Sequence, residues 1–583
     1  MAQHLPGAMF SMAALNPSHP AQWYRAAEAY HPLSYAQLAS RTRHVATGLM
    51  AAGVNAGDRV ALLMENRPEW AVTDYAVLAI GAVTVPLYCS YRPQDMAYVI
   101  NDAGARVVVC SGGTLLQHLL KALGDCPQVE AVYVLEPQEA HPQVRAFAEL
   151  EAQGIEVAAV EARMAAIDRA SLATIVYTSG TTAAPKGVML SHGNLLAVVE
   201  AACDVIDFQT DDMMLSFLPL AHSLERLAGH FLVYSAGLSV AFAERPDTVA
   251  KNLAEARPTL LISVPRMFEV VRSRILGQVA KQPAWQRRLF EAYVSLGQVT
   301  YRQQATLFGR LAHATLDRLV GCKIRQRFGG RLRLMVSGGA PLSTEVNEFF
   351  EAIGIPILQG YGLTESAPLI SVNPPEDRRT GSVGRPVTGV EVRLGDDGEI
   401  LARGANVMLG YWQLPEATAE AVIDGWLHTG DIGEIDADGY LRITDRKKDI
   451  IVTSGGENIA PQRIETLLIA DPMIDQVVVF GDQRPYLVAI VVPNEEGCRV
   501  WAAGAGLPVT DWPSLSGSKV LRKELQNRIA GMLKPLNPFE QVRRIHVRSA
   551  PFTIESGLLT PTLKIKRRQV SDVFKGEIEA LYE

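Results

Sequence analysis

Along the first part of the chain, continuous apolar runs alternate with segments whose apolar residues recur at helical spacing. After Ser34, a residue suited to cap a helix, Leu38, Val45 and Leu49 recur along one face. Residues 58–64 then read as a strand, 67–80 as a helix, and 83–87 and 106–110 as further strands. Strands that alternate with helices across short Gly and Asn punctuation predict parallel, doubly wound sheets. The stretch nearest to a membrane span, 227–243, contains His230 and is broken by Gly237. It therefore reads as a buried helix, turn and strand rather than a membrane span. From 266 to 328 the pattern is helical, through Trp285, Leu289, Tyr293 and Leu296 and then Leu307, Leu311 and Leu319. Beyond Val383 the strands shorten to 390–394 and 399–403 with turns between, which predicts a small β-barrel-like subdomain. The last part mixes a helix at 461–469, hairpin strands at 476–480 and 487–492, further helices and a final strand, an α+β unit.

Composition narrows the class. A chain of 583 residues implies several structural units at roughly 150 residues each. Hydrophobic content of 48% with 20% charged residues is that of a soluble globular protein. A net charge of −7 argues against nucleic acid as a general partner. The six cysteines, Cys89, Cys110, Cys126, Cys203, Cys322 and Cys498, form no CxxC pair, so no disulfide framework or zinc site is expected and a reducing compartment is. Residues 1–14 lack a basic segment before an apolar run, so no signal peptide is expected, and Leu581-Tyr582-Glu583 is no peroxisomal address. Charge is uneven: 266–328 holds 12 Lys or Arg against 3 Asp or Glu. Two readings stand for it, a solvated helical face or a surface that meets anionic membrane lipid.

The candidate chemistry begins after the apolar run 172–176. Tyr177-Thr178-Ser179-Gly180-Thr181-Thr182-Ala183-Ala184-Pro185-Lys186-Gly187 combines hydroxyls, glycines and a lysine between that strand and the helix start at Ser191-His192. Glycines let backbone N–H groups approach an anion, hydroxyls can wrap phosphate oxygens, and Lys186 adds a point charge. It is not a Walker A loop, because Pro185 and Gly187 flank the lysine. A strand at 332–336 feeds Ser337-Gly338-Gly339-Ala340, where a flat base can pack on backbone. A strand at 355–358 feeds Gln359-Gly360-Tyr361-Gly362-Leu363-Thr364-Glu365. Tyr361 can stack on adenine, Thr364 can bond a phosphate oxygen, and Glu365 can hold Mg²⁺, which favours one or two carboxylates plus phosphate oxygens. In the loop 426–431, Asp431 offers two acceptor oxygens to the hydroxyls of a ribose. His222, in Leu218-Pro219-Leu220-Ala221-His222-Ser223, is by itself more often a structural histidine.

These stretches together resemble the adenylate-forming enzymes: acyl-CoA synthetases, luciferases and peptide-synthetase adenylation domains. The likeness runs from about Leu33 to Arg568. It implies an N-terminal AMP-binding domain over 1–445, a hinge at 446–448 centred on Lys448, and a mobile C-terminal domain over 449–583. It also implies that Thr178, Ser179, Gly180, Thr181, Thr182 and Lys186 hold phosphates. Gly338, Gly339, Ala340, Gly360, Tyr361, Gly362, Thr364, Asp431 and Arg446 would hold the rest of the nucleotide, and His222 would sit beside the acyl carboxylate. Glu365, with Thr178, would hold Mg²⁺. Gly455, Gly456 and Glu457 would line the channel for the pantetheine arm of coenzyme A. The family's catalytic lysine falls in Leu563-Lys564-Ile565-Lys566-Arg567-Arg568. The usual glycine before it is replaced by Leu563, which leaves Lys564 and Lys566 as competitors; the register before the two arginines favours Lys564. A long helical insertion before Gly329-Gly330 is similar to long-chain fatty acyl-CoA synthetases.

The resemblance implies ATP-dependent ligation of a long-chain fatty acid to coenzyme A through an acyl-adenylate, with release of AMP and pyrophosphate, in the cytoplasm or at the inner membrane face. The alternatives are an acyl-AMP ligase that delivers to a carrier protein, a ligase for a medium-chain or other carboxylic acid, and a non-catalytic lipid-binding relative.

Overall fold

The computed structural model describes residues 2–136, 141–154, 156–178, 185–507, 511–560 and 564–583. Two large sheets dominate the N-terminal part. The first runs, edge to edge, Gly410–Tyr411, Lys186–Ser191, Leu172–Thr178, Val83–Pro86, Arg59–Leu63, Val107–Gly112, Ala131–Glu136 and Val144–Ala146. It is parallel from Leu172–Thr178 outward to Val144–Ala146 and antiparallel across its first three strands. Helices cover both faces, which is why the strand Val107–Gly112 is buried along its whole length and carries no polar alternation. The helix Tyr35–Ala51 starts with a reciprocal cap: Ser34 Oγ accepts from Gln37 N at 3.2 Å and Gln37 Oε1 accepts from Ser34 N at 2.8 Å.

The second sheet has nine strands, with Leu260–Ser263 between Met213–Ser216 and Leu334–Ser337, and Ile357–Tyr361 beyond the latter. The apolar stretch near 230 forms a π-helical turn Leu227–Leu232 and a helix Val233–Ala236. Gly237, at φ +75°, then turns the chain into the strand Ser239–Phe242. Trp70, Tyr75, Val188, Phe231 and Tyr234 belong to one core that joins the two sheets.

Inside that core lies a charged cluster. Arg226 Nη2 and Nε donate to Asp74 Oδ1 and Oδ2 at 2.5 and 3.1 Å, and His230 Nε2 lies 2.9 Å from Oδ2. Arg226 Nη1 donates to Thr174 Oγ1 at 2.6 Å, and that hydroxyl donates to Thr84 O. The guanidinium holds Asp74 far below the usual carboxylate range against the opposing effect of burial, while burial holds His230 neutral.

The barrel-like region is a five-stranded antiparallel sheet in which the long strand Trp426–Ile435 pairs with Glu399–Gly404, Val422–Ile423 and Leu441–Arg446. The C-terminal part sets Ile474–Phe480, Leu487–Pro493 and Val542–Val547 into one sheet, with the helices Pro461–Ile469 and Lys519–Leu533 on one face. Between the large sheets and this unit, Arg266 pairs with Asp475. The helical segment anchors Phe290 and Tyr293 against Phe349 and Phe350. Its outer helix, Leu307–Leu316, has no buried residue, so the apolar period there faces outward. No helix of the described residues is long and apolar enough to cross a membrane.

Candidate active site

The glycine- and hydroxyl-rich loop does not lead straight into a helix. Its C-terminal end, Lys186–Ser191, returns as a strand antiparallel to Leu172–Thr178, and the helix His192–Val205 begins only afterwards. Val188 and Leu190 are buried in the joint core, which explains why this run forms a strand. Thr178 and Lys186 face each other across the mouth of the hairpin, with Thr178 Oγ1 3.5 Å from Lys186 O. Ser179, Gly180, Thr181 and Thr182 lie outside the described residues.

Asp431 also differs from expectation. It lies within the strand Trp426–Ile435 rather than in a loop, directly opposite Arg446 on the neighbouring strand. Arg446 Nε donates to Asp431 Oδ1 at 2.9 Å, and Tyr361 Oη donates to Oδ2 at 2.8 Å. The ring of Tyr361 packs with Ile370, Ile400, Ala402 and Leu441, which fixes the phenol's direction. Gly362 is required by close packing, because a Cβ there would lie 2.1 Å from Pro368 O. Gly338 is buried beneath Leu224, whereas Gly339, at φ +81°, and Ala340 form an exposed lip.

Thr364 and Glu365 follow in a single 3₁₀ turn, Thr364–Ser366. Thr364 Oγ1 lies 3.1 Å from Ser223 Oγ, which ties this turn to the segment carrying His222. Tyr411 Oη donates to Glu365 Oε1 at 2.9 Å. That leaves Oε2 for another partner. Among the described residues no group of three or more His, Cys, Asp or Glu could hold a metal by itself. A single carboxylate with one engaged oxygen suits Mg²⁺ that brings its remaining ligands as phosphate oxygens and water.

His222 caps the short helix Ser223–Arg226, and its Nδ1 accepts from Leu224 N at 3.3 Å. With Nδ1 as acceptor, Nε2 carries the proton of the neutral ring. Burial, and then the ammonium of Lys564, pushes His222 down to about 4. That neighbour settles which lysine enters the cleft. Leu559 and Ile565 form an antiparallel bridge, Thr560 N donates to Lys564 O at 2.8 Å, and Lys564 N donates to Thr560 Oγ1 at 3.0 Å. Lys566 instead occupies the N-cap of the helix Arg567–Val573. Arg567 holds the loop to the C-terminal unit through Glu465 Oε1 and Oε2, both at 2.8 Å. Lys564 is an exposed residue, yet protein atoms crowd its ammonium. That crowding, and then Arg446, holds its ammonium down at about 8 against the attraction of Asp431 and Glu365.

The structure therefore gathers Lys564, His222, Glu365, Thr364, Asp431, Tyr361 and Arg446. It does not bring Gly455, Gly456 and Glu457 to them. Those residues sit in the C-terminal unit, where Glu457 is tied back to Thr453 and Ser454 N donates to Arg484 O at 3.0 Å. Lys448 is exposed in the turn that leaves the strand Leu441–Arg446. Sequence reasoning missed Tyr411 and Ser223. An aromatic residue after Gly410 is the only local signal for the former, and its partners lie far away in the chain.

The sequence pattern of the AMP-binding enzyme family matches residues 10–412, and that of the AMP-binding enzyme C-terminal domain matches 448–583. The long-chain-fatty-acid–CoA ligase FadD15 of Mycobacterium bovis is 37% identical over 559 residues, covering 94% of this chain and 92% of its own. A peroxisomal long chain acyl-CoA synthetase 7 of Arabidopsis thaliana is 36% identical over 586 residues, covering 95% and 82%. Among solved structures, the adenylation domain of a carboxylate reductase from Mycobacterium chelonae superposes with a TM-score of 0.79 at 24% identity, covering 99% and 91% of the two chains.

Proposed function

The chain belongs to the AMP-binding enzyme family, and from that premise we propose that it joins a long-chain fatty acid to coenzyme A at the expense of ATP. A carboxylate resists attack by a thiol because its leaving group would be oxide. The acid first attacks the α-phosphate of ATP and expels pyrophosphate; the thiol of coenzyme A then displaces AMP from the acyl-adenylate.

The protein's part in the first step is positioning and charge neutralisation. His222, neutral with its proton on Nε2, orients the acyl carboxylate. Lys186 and the loop 178–182 hold phosphate oxygens, and Thr364 bonds one of them. Asp431 takes the ribose hydroxyls. Gly338, Gly339, Ala340, Gly360, Tyr361 and Gly362 bound the adenine, and Arg446 reaches the nucleotide. Glu365, with Thr178, would hold Mg²⁺, which would offset phosphate charge. Lys564 stabilises charge at the α-phosphate. One observation carries this reading: a lysine near the C-terminus stands within the electrostatic reach of Glu365, Asp431, Arg446 and His222.

For the thiol step, the unit 449–583 rotates about Lys448, withdraws Lys564 and brings Gly455, Gly456 and Glu457 to the pantetheine channel. The enzyme works in the cytoplasm, with the segment 266–328 resting on anionic lipid. Phe308, 83% exposed, Leu307 and Leu311 stand beside the exposed Arg310, which suits shallow contact with such a surface.

The test is a panel of carboxylic acids from short to very long with ATP, Mg²⁺ and coenzyme A, following pyrophosphate and thioester together. Highest kcat/KM for long chains, with both products formed in equal amounts, is the expected result. Pyrophosphate without thioester would point to a carrier protein as acceptor.

A further inference from the structure

The segment 405–412 runs between the phosphate hairpin and the turn that carries Glu365, and it is bonded to both. On the hairpin side, Gly410 and Tyr411 pair with Met189 and Val188, Leu409 N donates to Met189 O at 2.9 Å, and Trp412 N donates to Gly187 O at 2.7 Å. On the other side, Met408 N donates to Glu365 O at 2.9 Å and Asn406 Nδ2 donates to Leu369 O at 2.8 Å. Asn194 closes the strap from below, its Nδ2 donating to Ala405 O and Val407 O, each at 2.8 Å. Gly410, at φ +141°, packs where a Cβ would lie 2.7 Å from Thr418 Cγ2, so the strap admits no side chain there.

One side chain of this strap touches both functional groups. Tyr411 Oη donates to Glu365 Oε1 at 2.9 Å, and the Lys186 ammonium lies 4.8 Å from the centre of the Tyr411 ring. A phenol donor on one carboxylate oxygen fixes the carboxylate's rotation and presents the other oxygen. An aromatic face holds an ammonium weakly enough to surrender it to a phosphate.

We propose that Tyr411 is a positioning residue that sets the metal carboxylate and the phosphate-loop lysine relative to each other: its hydroxyl orients Glu365 for a divalent cation, and its ring parks Lys186 until an anionic nucleotide arrives. This rests on the reading of Glu365 and Lys186 given above.

The experiment measures Mn²⁺ binding by electron paramagnetic resonance in the presence of α,β-methylene-ATP, together with the rate at which an amine-acylating reagent labels Lys186, read by mass spectrometry. Tyr411→Phe should weaken Mn²⁺ binding about tenfold and leave Lys186 labelling unchanged. Tyr411→Leu should weaken Mn²⁺ binding similarly and raise labelling of Lys186 in the nucleotide-free protein several-fold. Glu365→Gln separates the two layers of the argument. If it binds Mn²⁺ like the parent protein, the metal role of Glu365 fails. If it loses Mn²⁺ while Tyr411→Phe binds normally, the inference alone fails. A lowered Tm in Tyr411→Phe with unchanged Mn²⁺ affinity would make Tyr411 merely structural and overturn the proposal.

Discussion

Arg226 and Lys564 are both cations beside carboxylates, and the fold treats them in opposite ways. Arg226 is 2% exposed and directs its guanidinium donors to Asp74 and Thr174. Lys564 is exposed and forms no ion pair among the described residues, and the protein atoms around its ammonium hold it down at about 8. A fully matched buried charge is locked and serves as a rivet between the two large sheets. A charge without an ion-pair partner keeps its interaction free energy for an anion that reaches it. The site proposed for the chemistry is thus the one the protein leaves electrostatically incomplete.

The contrast breaks most sharply at the rivet. Arg226→Met leaves Asp74 buried without its main partner, so unfolding in denaturant should show a loss of roughly 3–5 kcal/mol. The double variant Asp74→Leu with Arg226→Met should recover most of that loss, because apolar replacement of a whole buried pair is often neutral. Failure of the double variant to recover would mean that His230 and Thr174 carry more of the cluster than the ion pair does.

At the cleft the expected loss is kinetic. Lys564→Ala should slow pyrophosphate release about 100- to 1,000-fold, the range for removing one preorganised donor at a charged transition state. Conversion of supplied acyl-AMP to thioester should stay within a few-fold, and Lys566→Ala should leave both half-reactions intact. Equal loss of both halves in Lys564→Ala would remove the lysine from the adenylation role. Because the charged form is the active one and its value lies near 8, adenylation should decline as pH rises through about 8. Lys564→Arg should flatten that decline.

Glu225 sharpens the comparison from the acidic side. It neighbours Arg226, is 1% exposed, its Oε1 lacks a partner among the described residues, and burial pushes it up to about 8. The unfolded chain releases this proton above about 4.5 while the folded one retains it. Its contribution to stability is therefore complete below about 4.5 and lost as pH rises to about 8, at roughly 1.4 kcal/mol per pH unit. Glu225→Gln removes the titration, so its Tm advantage over the parent should grow between pH 5 and pH 8. A constant difference across that window would contradict the assignment.

The smallest effect concerns charge that stays in water. Arg287, Arg288 and Arg310 carry no ion pair among the described residues. Replacing all three by Gln should weaken co-sedimentation with anionic vesicles by about 1 kcal/mol per residue at low salt. Activity on detergent-dispersed substrate should hold. Unchanged vesicle binding would return 266–328 to a solvated helical face.

How far the sequence carries depends on how local the determinant is. The helix cap at Ser34, the helix Pro461–Ile469 and the break at Gly237 rest on neighbours in the chain, and each was readable from them. The hairpin Leu172–Thr178 with Lys186–Ser191 was not, because Val188 and Leu190 form a strand only against a sheet whose other members lie elsewhere. Asp431 was read as a loop carboxylate for the same reason, since its strand is defined by partners at Leu441–Arg446 and Glu399–Gly404.

The sequence by itself pointed to the family through its resemblance to adenylate-forming enzymes, and it supplied the candidate residue types, because phosphate loops and carboxylate motifs are short stretches of consecutive side chains. Only the tertiary structure placed Lys564 rather than Lys566 near His222, Glu365 and Asp431, set Tyr411 between Lys186 and Glu365, and exposed the Asp74–Arg226–His230 cluster. Each of those depends on distances between residues far apart in the chain, and spacing along a sequence carries no information about distance once the chain folds back on itself.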